Sequence, residues 1–350
     1  MSYEIPAYRH PNLPKNNLGY TTKDYEGAAS TLCAGCGHDS ISAAIIDACF
    51  EISLEPHRVA KLSGIGCSSK TPTYLLGNSH GFNTVHGRMA AVATGANLAQ
   101  RDLVYIGVSG DGDTASIGMG QFVHAVRRNV NMVYICENNG VYGLTKGQDS
   151  ATTDIGSKSK KGEPNALEPI DLCSIALQLG ASFVANGFSG DKEQLVPMIQ
   201  AGIAHQGFAF INIISPCVTF NNSPGSTKAY DYMRQHMASS NVVDYVPRAE
   251  EITAQYEAGS SKNVTMHDGS VINLHKIDPH LDIYSRRSAL ALMQEYKDEG
   301  KVLTGLLFID PDSCEVHDAM NTTQVPLREL SQDVLCPGAE TLDKINQALR

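Results

Sequence analysis

The chain has no tryptophan, only 7% aromatic residues, and a shortage of positive charge: 27 Lys and Arg against 37 Asp and Glu, a formal net charge of −10. That shortage excludes a nucleic-acid binder whose affinity rests on clusters of Lys and Arg. No stretch approaches the ~18 successive apolar residues of a membrane-spanning helix. The first thirty residues are polar, are interrupted by Pro6, Pro11 and Pro14, and lack the apolar centre of a secretory leader. Nine cysteines is an odd count, unevenly spaced, and 350 residues can bury a core without covalent staples. These absences lead to the expectation of a cytoplasmic protein whose cysteines are reduced thiols or metal ligands.

What is present is an alternation. Residues 39–51 place Ile41, Ala44, Ile45 and Ala48 at helical spacing behind Asp39. Strand-like runs at 57–62, 103–109, 132–136 and 208–214 alternate with helix-like stretches at 88–100, 116–127, 171–179 and 192–205. Such alternation predicts an α/β fold built on a mainly parallel, doubly wound sheet. In sheets of this kind ligands sit beyond the carboxyl ends of the strands. The organisation expected is an arm over 1–29, a binding domain over 30–240 and a C-terminal extension over 241–350. After Pro216, helices near 230–238 and 285–296, a strand at 302–309 and a final helix from about 340 are expected.

The most specific signal is Gly110-Asp111-Gly112-Asp113, followed one helix and one strand later by Asn138-Asn139. Glycines let backbone amides approach an anion, and a helix start favours negative charge. A turn carboxylate and an amide oxygen from the next strand can contribute to the near-octahedral oxygen shell that Mg²⁺ prefers. A Gly-rich βα turn alone is common in doubly wound folds. The full order of strand, GDGD, helix, strand and NN resembles the thiamine-diphosphate (ThDP) binding motif. By that resemblance Asp111 and Asn139 hold Mg²⁺ by side chain and Val141 by its carbonyl, while Gly110, Gly112 and Asp113 lie against the diphosphate. No G-x-G-x-x-G follows an early strand, which disfavours a dinucleotide fold.

Four of the cysteines stand apart. Cys33-Ala34-Gly35-Cys36 puts two sulfurs within reach of one metal, and Cys67 and Cys217 sit in loops that can complete a four-thiolate set. Spacing alone leaves zinc and [4Fe–4S] both open. Cys49, Cys136 and Cys173 fall inside helix or strand patterns and suit small buried hydrophobes. Cys67 is followed by Ser68, Ser69 and Lys70, donors suited to a diphosphate or a carboxylate. A loop that serves both cofactor and cysteine set favours iron–sulfur over structural zinc, because the electron-rich product of a ThDP decarboxylation can then give up electrons singly.

Taken in order, Cys33-x-x-Cys36-Gly37-His38, Gly64-Ile65-Gly66-Cys67-Ser68, His86-Gly87-Arg88, GDGD, NN-x-V-Y-G-L-T-K and Ser215-Pro216-Cys217 resemble the β subunit of a 2-oxoacid:ferredoxin oxidoreductase, most similar to the 2-oxoglutarate type. The resemblance covers roughly residues 30–240. It implies a [4Fe–4S] cluster on Cys33, Cys36, Cys67 and Cys217. It also implies a ThDP and substrate site lined by Ser68, Ser69, His86, Gly87, Arg88, Tyr142, Gly143, Leu144 and Thr145.

His86 and Arg88, at the start of a small-residue helix, could also bind phosphate on chemical grounds, Arg88 by bidentate contacts. Lys70 and Lys146 each lie in a loop where a cation could read the distal carboxylate of a 2-oxo diacid; Lys70 and Thr145 are the expected substrate-facing residues. No glutamate here is assignable to the aminopyrimidine ring of ThDP, since Glu137 stands beside the diphosphate end. The resemblance implies that a partner α subunit supplies it, in a heterodimer or heterotetramer that also uses coenzyme A. The run C-x₂-C-x₂-C-x₃-C-P is missing, so electrons would leave the single cluster for an external ferredoxin. A pyruvate-specific member of the same family, a redox-neutral ThDP lyase and a zinc-stabilised scaffold are the rival readings.

Overall fold

The computed structural model describes residues 12–157, 163–246, 261–265, 271–276 and 280–350; the opening of the expected arm, residues 1–11, lies outside them. Eight strands, numbered along the chain, form the central sheet: β1 (Val59–Ser63), β2 (His80–Asn83), β3 (Val104–Gly110), β4 (Met132–Asn138), β5 (Phe183–Phe188), β6 (Phe208–Ile214), β7 (Met237–Ser239) and β8 (Val302–Ile309). Their spatial order is β2-β1-β3-β4-β6-β5-β8-β7. Every neighbouring pair is parallel except β5 with β8, which is antiparallel. The fold is therefore the mostly parallel α/β sheet that the alternation predicts.

Burial explains the strand sequences. All seven residues of β4 and of β6 are buried, so both read as continuous apolar runs rather than alternating ones. Phe122, from the helix Met119–Arg128, wedges edge-on against Tyr134 of β4 and against Phe208 and Phe210 of β6, with ring centroids 5.3, 5.8 and 5.0 Å apart. Helix ends follow local chemistry. Asp171 accepts from Ser174 N at the start of Leu172–Leu179, and that helix stops at Gly180, whose φ is +89°.

Three local differences from the sequence pattern have physical causes. The helix expected from 116 starts only at Met119, because Gly112–Ile117 first makes a wider π-type turn. The helix near 230–238 ends at His236, and the next three residues pair with β8 as β7. A small antiparallel sheet of Asn241–Val246, Val271–Lys276 and Ser261–Thr265 follows. Among the described residues no helix is long and apolar enough to cross a membrane.

The sheet's direction creates the site. β1, β3, β4 and β6 run parallel, so their carboxyl ends share one edge. From that edge leave the loops carrying Gly64–Lys70, Asp111–Asp113, Asn139 and Ser215–Cys217. The helix Gly37–Glu51 begins at the same edge, with Gly37 N donating to Pro216 O at 3.4 Å.

Candidate active site

One cavity at this edge is lined by Ser68, Gly110, Asp111, Gly112, Asn139 and Tyr142, among others. Asp111 is 1% exposed. Its Oδ2 accepts from Ser150 Oγ and, at 2.7 Å, from Thr152 Oγ1; its Oδ1 accepts from Asn139 N at 3.2 Å. Burial pushes the carboxyl upward, opposed by those hydrogen bonds and by the charge of Lys228. Asn139 Oδ1 takes Val141 N at 3.0 Å, a two-residue turn that aims the Asn139 side chain and the Val141 backbone into one region. Tyr142 donates to Gly112 O at 2.9 Å, and a Cβ on Gly112 would lie 2.4 Å from the Tyr142 ring. Only glycine fits there.

Asp113 lines the same cavity, but its carboxylate is occupied: Oδ1 accepts from Gly87 N at 2.6 Å and Oδ2 from Ser109 Oγ at 2.8 Å. It thereby ties the turn after β3 to the loop His86-Gly87-Arg88. Gly87 is buried, while His86 and Arg88 are exposed, and Arg88 donates to Gln121 Oε1 at 3.2 Å.

A second cavity, mostly apolar, is lined by Cys33, Cys36, Cys67 and Cys217 together with Leu32 and Phe220. All four cysteines are free thiols. A Cβ on Gly143 would sit 3.4 Å from Cys67 Sγ and 3.6 Å from Cys217 Sγ, so the backbone at Gly143 forms part of the wall. Thr219 Oγ1 donates to Cys33 Sγ at 3.6 Å. Burial pushes the Cys36 thiol up to about 12 and raises that of Cys67, which means a bound cation must supply the energy to ionise them. Among the described residues no three Cys, His, Asp or Glu side chains are close enough to clasp one metal ion. The four cysteines nevertheless line one shared cavity.

The two cavities share His38, Cys67, Asn139 and Gly143. His38 is buried, which lowers it to about 4 and keeps the ring neutral. Asn139 Nδ2 lies 3.4 Å from its Nε2, so Nδ1 carries the hydrogen and faces Ser215 Oγ at 2.5 Å. Glu137, 0% exposed, lies 3.6 Å from His38 Nδ1 and accepts from Thr71 Oγ1 at 3.0 and 3.1 Å. Burial raises its carboxyl well above the usual range. Held this way, Glu137 braces the loops beneath both cavities.

The remaining expected residues surround the site. Ser68 and Ser69 donate their hydroxyls to Ile65 O (2.9 Å) and Gly66 O (2.7 Å), which closes the Cys67 loop. Lys70 reaches Thr31 Oγ1 at 3.4 Å and lies close enough to Cys67 to oppose the rise of that thiol. Leu144, Thr145 and Lys146 are exposed, and Thr145 donates to Gln148 Oε1 at 2.6 Å. Neither lysine enters either cavity lining. Sequence reasoning missed Ser150, Thr152, Thr71 and the place of His38. Only His38 carried a signal, its position directly after Cys36-Gly37.

Residues 64–213 match the family profile of the thiamine pyrophosphate enzymes' C-terminal TPP binding domain. The chain is 36% identical over 260 residues to the 2-oxoacid:ferredoxin oxidoreductase subunit beta of Saccharolobus solfataricus, covering 73% of this chain and 85% of that one. It is 41% identical over 189 residues to the 2-oxoglutarate synthase subunit KorB of Methanocaldococcus jannaschii, covering 54% of this chain and 69% of the relative. A solved 2-oxoglutarate:ferredoxin oxidoreductase from Magnetococcus marinus, with 2-oxoglutarate, coenzyme A and succinyl-CoA bound, superposes with a TM-score of 0.68 at 31% identity, over 86% of this chain and 88% of that chain.

Proposed function

Because this chain belongs to the β subunits of the 2-oxoacid:ferredoxin oxidoreductases, we propose that it carries the ThDP, Mg²⁺ and [4Fe–4S] half of a 2-oxoglutarate-converting member. The reaction consumes 2-oxoglutarate, coenzyme A and two oxidised ferredoxins, and yields succinyl-CoA, CO₂, a proton and two reduced ferredoxins. The low potential of ferredoxin lets it run in either direction. The observation that carries this reading is the shared wall: the pocket around Asp111 and a four-cysteine cavity meet at His38, Cys67, Asn139 and Gly143. Electrons leaving the first have a short path into the second.

In this reading Asp111, Asn139 and the Val141 carbonyl hold Mg²⁺, and Gly110, Gly112, Asp113 and Ser68 border the diphosphate. Cys33, Cys36, Cys67 and Cys217 hold the cluster. ThDP, when bound, supplies the carbanion chemistry that releases CO₂, and the cluster takes the electrons one at a time. The chain's own residues orient and shield: Tyr142 closes over Gly112, and neutral His38 fixes Asn139 between the cavities. Half-buried Ser69 and the exposed loop residues His86, Arg88, Leu144 and Thr145 border the opening, where Lys70 swings from Thr31 to a distal carboxylate. Glu137 is buried and braced, and the family resemblance implies that the glutamate for the aminopyrimidine ring comes from the α subunit. The functional unit is a cytoplasmic αβ or (αβ)₂ assembly, with residues 30–240 of this chain as the binding domain.

The test is anaerobic co-purification with the α partner. Iron, acid-labile sulfide and bound ThDP are measured, followed by coenzyme A-dependent viologen reduction with 2-oxoglutarate and pyruvate. About four iron and four sulfide per β chain, with 2-oxoglutarate preferred, are expected. Preference for pyruvate would reassign the substrate. Zinc in place of iron, or turnover without an electron acceptor, would overturn the reading. Lys70→Met should raise KM for 2-oxoglutarate at least tenfold more than for pyruvate, a loss of about 1.4 kcal/mol of selective binding.

A further inference from the structure

Beyond the residues that touch Mg²⁺ or diphosphate, we infer that Thr152 and Ser150 are positioning residues that present Asp111 to its cation in one fixed orientation. The inference rests on the reading of Asp111 as a metal ligand. Ser150 Oγ and Thr152 Oγ1 both converge on Oδ2 of Asp111, while Oδ1 takes only the longer bond from Asn139 N. Two hydroxyl donors on one oxygen leave the other as the better ligand. They also stop the carboxylate from rotating about its Cβ–Cγ bond. Ser150 and Thr152 are themselves buried, at 9% and 1% exposure, so no water substitutes for either hydroxyl at low cost.

Thr152 is in turn held from behind by a directed chain of side-chain amides. Asn186 Nδ2 donates to Leu303 O at 2.7 Å, Asn212 Nδ2 to Asn186 Oδ1 at 2.8 Å, and Asn138 Nδ2 to Asn212 Oδ1 at 3.2 Å. Leu303 O is a backbone carbonyl and can only accept. Asn186 must therefore point its amide nitrogen at β8, and each earlier amide in the chain has its orientation fixed in turn. The last acceptor left is Asn138 Oδ1, which lies 3.0 Å from Thr152 Oγ1.

The Thr152 hydroxyl has one proton, and its two nearest acceptors are Asp111 Oδ2 at 2.7 Å and Asn138 Oδ1 at 3.0 Å, with Ser150 Oγ farther at 3.2 Å. The carboxylate takes it when its charge is uncompensated. Once a cation draws charge toward Oδ1, the amide oxygen competes. Thr152 thus links metal occupancy at Asp111 to a polar ladder that spans β4, β6, β5 and β8. A valine there keeps the shape and removes both bonds, whereas a serine keeps them.

The experiment uses the αβ holoenzyme, stripped of ThDP with a chelator and titrated with ThDP at fixed Mg²⁺ by isothermal calorimetry. Cofactor-free thermal midpoint and iron content are recorded in parallel. Thr152→Val and Ser150→Ala are each expected to weaken ThDP binding about tenfold, with iron content unchanged. Thr152→Ser is expected to bind within twofold of the parent, and saturating cofactor should restore turnover in all three. Unchanged ThDP affinity in Thr152→Val and Ser150→Ala would overturn the inference. So would a Thr152→Ser variant as weak as Thr152→Val, which would make the methyl group and not the hydroxyl decisive. Should Thr152→Val fail to assemble, Ser150→Ala and Thr152→Ser decide alone. Asp111→Asn serves as the control for the underlying reading. If it binds ThDP normally, Asp111 is no ligand; if it abolishes binding while the two hydroxyl variants do not weaken it, only the positioning role fails.

Discussion

The oxygen-lined cavity and the cysteine-lined cavity share four residues and differ in almost everything else. Around Asp111 two hydroxyls and one backbone N–H converge on a single buried carboxylate. Around the cysteines the lining is mostly apolar, with Leu32, Val218 and Phe220 among the neighbours. The first arrangement favours a hard cation that needs few, well-placed oxygens. The second surrounds soft sulfur atoms with apolar side chains and a hydroxyl donor from Thr219, a setting in which hydrogen bonding and burial tune a metal's potential. One sheet edge produces both because the loops after β3 and β4 bring carboxylate and carboxamide, whereas the turn before the helix Gly37–Glu51 and the loops after β1 and β6 bring sulfur.

The most direct way to break the contrast is to remove one centre and ask whether the other survives. Asp111→Asn should lower ThDP affinity at least a hundredfold, equivalent to about 2.7 kcal/mol, and leave iron content intact. Cys217→Ser should abolish most iron incorporation, with ThDP affinity within about threefold of the parent by calorimetry. Loss of both centres in either variant would mean that the cavities form one cooperative unit.

A smaller effect distinguishes the glycines of the two walls. Gly112→Ala drives a methyl into the Tyr142 ring and should cost roughly 1–3 kcal/mol in unfolding free energy, with ThDP binding weakened in step. Gly143→Ala places its methyl in ordinary contact with two sulfurs and should change the unfolding midpoint far less. Chemical denaturation of the two variants side by side checks the difference.

The shared His38 sharpens the comparison through pH. Its folded value is depressed to about 4 from 6.5, so below pH 6.5 the unfolded chain takes up a proton that the folded chain refuses. Its contribution is fully present above pH 6.5 and is lost progressively as the pH falls toward 4. His38→Gln should therefore flatten the acid limb of a stability profile by up to about one proton. An unchanged slope would place the acid sensitivity elsewhere. The smallest change is expected far from both centres. None of residues 327–350 is buried, so truncation after residue 326 should move the thermal midpoint by no more than about 2 °C.

How much of this was legible depended on whether the signal was local. The GDGD turn, Asn138-Asn139 and the CAGC pair announce themselves within a few residues, and β6 and β8 are apolar runs found at their expected positions, 208–214 and 302–309. Strand β2 was not legible, because all four of its residues are exposed and it carries no hydrophobic pattern. β5 was obscured by Asn186-Gly187 in its middle. β7 was hidden in what reads as the end of a helix, since its pairing partner lies far along the chain. Ser150 and Thr152 could not be found from the sequence, because ordinary hydroxyl residues acquire a role only when the fold folds their loop back over Asp111. The reach of Lys70 to Thr31 depended on a side-chain direction that spacing does not encode.

The late strand β8 has a consequence for biosynthesis. It is inserted between β5 and β7 although it is translated after both. A ribosome delivers the amino-terminal part first, so the outer side of β5 waits with unsatisfied backbone groups while the intervening segment emerges, the kind of open edge that recruits wrong partners. The amide ladder behind Asp111 ends on Leu303 of that same strand. Maturation of the catalytic edge is thereby tied to the release of nearly the whole polypeptide.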